Sequence, residues 1–144
     1  MELFNFAFYF SMAVVVFIIY LGAINHRDFQ SHYEAHIYWP TSLALMVVSS
    51  FAFIGAGIEP FLFLSLGNTS LIFSAFAINL FIRSWDSDNP KFSYRLFWTL
   101  FVILLIGYEF LRIYTSFSFR VYFVTTCLSL FSLMSFVELL LVPK

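Results

Sequence analysis

His26, His32, Glu34 and His36 form the densest group of potential metal ligands in the chain. On a helix, the four-residue step from His32 to His36 would put two imidazoles on one face, and a third histidine plus a carboxylate could complete a tetrahedral zinc set. The pattern is not His-Glu-x-x-His, and the same residues suit a solvated loop between apolar segments. We read them as a loop, with His26, His32 and His36 kept only as weak metal candidates and no cofactor expected. A di-iron centre needs more ligands than three histidines supply. Transmembrane haem wants histidines deep in apolar segments, and retinal wants a lysine there. The lysines, Lys91 and Lys144, lie in a polar connector and at the terminus. Neither a glycine-rich phosphate loop nor a nucleophile motif is present, so no catalytic residue is assigned and no enzymatic activity is expected.

The remaining chemistry sits inside apolar segments, where polar groups are costly and tend to be used. Asn68, Ala75 and Asn79 fall on one stripe of a helix, beside a small-residue face of Gly67, Ser70, Ser74 and Ala77. Such residues serve close helix packing and interhelical amide bonds; alternatively, Asn68 and Asn79 line a ligand pocket. A second small polar face, Thr125, Ser129 and Ser132, suits packing on the first or on a second copy of itself. Glu109 and Arg112 are spaced to pair on a helix surface, as an interfacial salt bridge or as a charged lid over a pocket next to Tyr108. Glu138 either reaches the interface or bonds to a neighbouring helix. Cys127 is alone, so it forms no internal disulfide and reads as a small packing residue.

Five apolar segments must position these groups: 3–22, 37–57, 61–82, 96–114 and 121–142. Each has the roughly 20 residues that a helix needs to cross a bilayer. The composition agrees, with 62% hydrophobic and 10% charged residues and a mean hydropathy of +0.92. The expected fold is an all-α, polytopic transmembrane bundle of five helices in one domain, 1–144. The start, Met-Glu-Leu-Phe-Asn, lacks the basic region of a signal peptide, so the first segment reads as a retained helix. Pro40 falls in a first helical turn, where its missing N–H costs least. Gly55 to Pro60 reads as a tight hairpin with Pro60 stopping continuation, 84–94 as the clearest loop, and 115–120 as a short connector. A net charge of −1 offers no basic field for nucleic acid. With the N-terminus outside, Arg27, Arg83, Lys91, Arg95 and Lys144 fall inside, against Arg112 and Arg120 outside. This distribution favours N-out/C-in. Trp39, Trp85 and Trp98 then share the cytoplasmic interface.

Several landmarks succeed one another in a recognisable order. Tyr38-Trp39 opens the second segment, and a Gly-rich end leads to Glu59-Pro60. Leu66-Gly67-Asn68 begins the core of the third, Phe81-Ile82-Arg83-Ser84-Trp85 closes it, and Arg120-Val121 opens the last. This order resembles the N-terminal multi-helix membrane sensor regions of bacterial diguanylate cyclases (GGDEF proteins) and of some sensor histidine kinases. The resemblance spans about 33–141 and rests on short hydrophobic motifs. It implies a bacterial inner-membrane bundle that controls cyclic-di-GMP synthesis or phosphorylation through a cytoplasmic output domain. A GGDEF or kinase domain does not occur before Lys144, so the expectation is an excised sensor region or a stand-alone membrane protein of similar pattern. The functional expectation is therefore a sensory module in the lipid bilayer, with a small-molecule or lipid ligand and a homodimeric arrangement. A small transporter or carrier subunit, with Asn68, Asn79, Glu109 and Glu138 along a path, is the alternative; an accessory subunit of a larger membrane complex is a third.

Overall fold

A computed structural model describes the backbone of residues 3–25, 37–58, 60–83 and 93–141; side chains at 3–6, 8, 22–25, 61 and 141 fall outside that description. Within these residues the chain is all helical: α1 (Leu3–Asn25), α2 (Tyr38–Gly55), α3 (Pro60–Arg83), α4 (Tyr94–Tyr114) and α5 (Phe117–Leu141). By length and composition α2 to α5 can each cross a membrane, and α1 is apolar from Tyr9 to Leu21.

The connections are set by local chemistry. After Gly55 the chain turns through Ala56 and Gly57, with Ala56 N–H donating to Ala52 O (2.8 Å) and Ile58 N–H to Gly55 O (2.9 Å). Pro60 is the first residue of α3 rather than only a stop after α2. At that position its absent N–H has no helical partner to lose and its fixed φ is already helical. The α5 boundary also differs from the expectation. Only Thr115 and Ser116 separate α4 from α5, and Arg120 lies in the first turn of α5 instead of in the connector. Ser116 is the cause: its Oγ accepts from Phe119 N–H at 3.3 Å and its carbonyl from Arg120 N–H at 3.3 Å. A serine that satisfies an otherwise orphaned donor starts a helix there.

α3 is the centre of the bundle. It packs most extensively on α2, and on its other sides α4 and α5 lean against it while barely touching each other; α1 packs on α2. Burial follows this order: 56% of the apolar span of α3 is buried, against 6% for α5. Lipid is as apolar as leucine, so close packing and hydrogen bonds must hold such helices together. The α2/α3 seam supplies both. Ser42 Oγ and Ser74 Oγ are 3.0 Å apart, Ser74 Oγ also donates to Ser42 O at 3.0 Å, and Ser49 Oγ donates to Gly67 O at 2.8 Å. Glycines then let rings close the seam. A Cβ at Gly67 would stand 3.0 Å from the Phe53 ring, and one at Gly55 would stand 3.0 Å from the Phe63 ring.

The small face of α3 is thus taken by α2, not by α5. Thr125, Ser129 and Ser132 of α5 are exposed, and α5 instead turns Val124, Leu128 and Phe131 toward the bundle. Aromatic rings fill the space between α3 and its two lateral neighbours. Phe73 meets Phe97 and Phe101 of α4 edge-on at 5.1 and 5.3 Å, and Phe76 meets Phe131 of α5 at 5.2 Å. Tyr38 of α2 closes on Phe97 at 5.9 Å.

Candidate functional site

Besides the serines of the α2/α3 seam, polar contacts between helices occur at each end of the bundle. At the end holding the start of α2 and the close of α3, two ties fasten α5 to α3. Asn79, 1% exposed, donates from Nδ2 to Ser135 Oγ at 3.4 Å. One turn further on, Arg83 Nε lies 3.2 Å from Glu138 Oε1. Glu138 therefore bonds to a neighbouring helix, as one of its two expected uses. Both ties are modest: the first is long, and Arg83 is 53% exposed, which allows water to compete.

At the opposite end Glu109 and Arg112 pair within one turn of α4. Arg112 donates from Nη2 to Oε1 at 2.6 Å and from Nε to Oε1 and Oε2 at 3.0 and 3.1 Å. Ser65 of α3 donates to the same carboxylate at Oε2. The charge of Glu109 is thus neutralised and its acceptors are used to tie α4 to α3. Glu109 is not among the lining residues of the cavity that its neighbour Tyr108 borders.

That cavity, of about 290 Å³, opens where α5 begins. Its walls are mostly apolar, from Phe53 of α2, Leu64 of α3 and Val121 and Val124 of α5; Tyr9 of α1 also reaches it. Besides Tyr9, four polar side chains converge on it: Asn68, Tyr108, Thr125 and Arg120. Asn68 Nδ2 donates to Leu64 O at 2.8 Å, and Thr125 Oγ1 donates to Val121 O at 2.8 Å, so both are anchored within their own helices. Tyr108 is 2% exposed. Arg120 differs from these. Its Nε is buried without a hydrogen-bond partner among the described residues, and its guanidinium carbon stands 5.8 Å from the Phe117 ring centroid. Among those residues the ion pairs are Arg83–Glu138 and Arg112–Glu109, so Arg120 carries a charge without a carboxylate.

The structure brings Asn68, Tyr108 and Thr125 together and sets Asn79 and Glu138 at the far end. Both asparagines still face α5, as their shared stripe requires. Ser129 and Ser132 face outward, and Gly67, Ser70 and Ser74 belong to the buried side of α3. Cys127 is half-buried against the aromatic core. His26, Glu34, His32 and His36 lie outside the described residues, as do Trp85, Lys91 and Lys144. Sequence reasoning passed over Arg120, Ser65 and Arg83 as site residues. Ser116 was the available signal for Arg120, because an N-capping serine moves it from a loop into a helix. Two further hollows lie along α1. One, of about 420 Å³, is lined by Tyr20, Thr41, Tyr94 and Trp98, and an apolar one, of about 170 Å³, by Met12, Met46 and Phe53.

Comparison with protein-family models, with curated proteins and with solved structures found no match to this chain.

Proposed function

We propose that this chain is a membrane-embedded sensory module without enzymatic activity, acting on a cytoplasmic output domain through α5. In this reading all five helices cross a bacterial inner membrane, with the N-terminus outside and the C-terminus in the cytoplasm. The carrying observation is how α5 is held. It touches the bundle along one stripe, it borders the cavity at its start, and it is latched near its end by Ser135 and Glu138. A ligand that fits the cavity better in one position of α5 than in another shifts the population between the two. The weak latches at the far end let that shift reach the cytoplasm. The order of landmarks, which resembles that of sensor regions of diguanylate cyclases and histidine kinases, favours the same reading.

Two measurements test it. Reporter fusions after Lys144 and within 84–93 are expected to read cytoplasmic, as the Lys and Arg distribution requires. A periplasmic signal from either overturns the topology. For the relay, nitroxides at the exposed positions Leu96 and Leu139 report the spacing of α4 and α5 at the latched end. In a Cys127→Ala background, Glu138→Gln is expected to broaden or displace that distance distribution. An unchanged distribution, also after adding Asn79→Leu, makes α5 a fixed bundle helix and refutes the relay.

A further inference from the structure

We infer that the cavity at the start of α5 is a binding site for an anionic amphiphile, with Arg120 as the anchor of its acidic head. The inference names the ligand class of the proposed sensory cavity and to that extent rests on that reading. Its grounds are chemical. Arg120 presents a cation that no described carboxylate neutralises, with Nε buried and unpartnered. The nearest acid on the neighbouring helix, Glu109, is consumed by Arg112 and Ser65. It therefore leaves the positive charge of Arg120 uncancelled. An unpaired guanidinium at the edge of hydrocarbon is costly, and the ring of Phe117 at 5.8 Å offsets only part of that cost. A carboxylate or phosphate would offset far more, because guanidinium matches either one with two parallel hydrogen bonds. The position adds to this preference, since Arg120 sits in the first turn of α5, where the helix dipole favours negative charge.

The rest of the cavity selects the group that carries this acidic head. Leu64, Val121 and Val124 offer hydrocarbon, while Tyr108 offers a phenol. A volume of about 290 Å³ is at the small end for ligand sites. It suits an acidic head and the first methylenes of a chain, with the remainder in the surrounding lipid. A free fatty acid or alkyl phosphate and the head of an anionic phospholipid share this chemistry.

The test uses the full chain in nanodiscs of phosphatidylcholine, with dodecyl phosphate as probe and calorimetric titration as readout. Saturable binding is expected. Arg120→Gln should weaken it at least about tenfold, the loss expected for a charged hydrogen-bonded anchor. Arg120→Lys should retain part of it, and Arg95→Gln, at the other end, none of the loss. Inorganic phosphate alone should bind far more weakly. Repeating the titration with phosphatidylglycerol in the disc separates the sources: competition identifies a membrane phospholipid, and its absence a free amphiphile. Equal affinity in wild type and Arg120→Gln, no saturable binding in either, or inorganic phosphate binding as well as dodecyl phosphate would each overturn the assignment. The nitroxide distances at Leu96 and Leu139 read the relay separately, so a silent relay with an occupied site, or the reverse, identifies which inference failed.

Discussion

Replacing Arg112 with alanine is expected to be the most damaging single change in the bundle, at a cost of about 3 kcal/mol. The pair with Glu109 is held by three nitrogen–oxygen contacts, and its side chains are only 16% and 21% exposed. Without Arg112 the carboxylate keeps Ser65 as its one polar neighbour among the contacts that tie α4 to α3. A lone carboxylate facing hydrocarbon is far costlier than a neutral group of the same shape. The double variant Glu109→Gln with Arg112→Leu should therefore recover most of the lost stability, because no charge is left unpaired and the amide can still accept from Ser65. Reversible unfolding in detergent, followed by far-UV circular dichroism, measures both. A single variant as stable as wild type, or a double variant no better than the single, would show that the pair does not bear on the α3/α4 contact.

Gly67→Leu is the second large effect, expected at about 2 kcal/mol of destabilisation. A bare Cβ at Gly67 would already stand 3.0 Å from the Phe53 ring, so leucine must push α2 and α3 apart or drive the ring away. Either movement disturbs the Ser49 hydrogen bond to the carbonyl of Gly67. Phe53 also lies 5.3 Å from the Tyr9 ring and walls the cavity at the start of α5, so its displacement alters the proposed ligand site as well. Gly67→Ala is milder, since the ring needs to give by only a few tenths of an ångström. Combining Gly67→Leu with Phe53→Ala should restore part of the stability by making room. Thermal unfolding of the four proteins checks this, and equal midpoints for wild type and Gly67→Leu would contradict the tight seam.

Features that depend on length, composition and near-neighbour spacing were legible before any fold was known. Segment length and apolarity marked all five helices, because a backbone in hydrocarbon must satisfy its own hydrogen bonds and a helix does so within one segment. The Glu109–Arg112 pair was legible because its partners are one turn apart on one helix. The common stripe of Asn68 and Asn79 was legible for the same reason. Tertiary structure alone decided which helix each stripe meets. Arg83 and Glu138, and Asn79 and Ser135, are joined across helices that the chain order does not oblige to touch. In a soluble protein a polar face would have fixed the rotation of each helix. Here lipid and protein interior are both apolar, so Val124 and Leu130 of α5 look alike in sequence, yet the first is buried and the second exposed. That ambiguity left the outward turn of Ser129 undetermined and the role of Arg120 unseen. Rotation in such a bundle depends on where glycine and serine permit the closest backbone approach, and here that place is the α2/α3 seam, which left α5 the outer position.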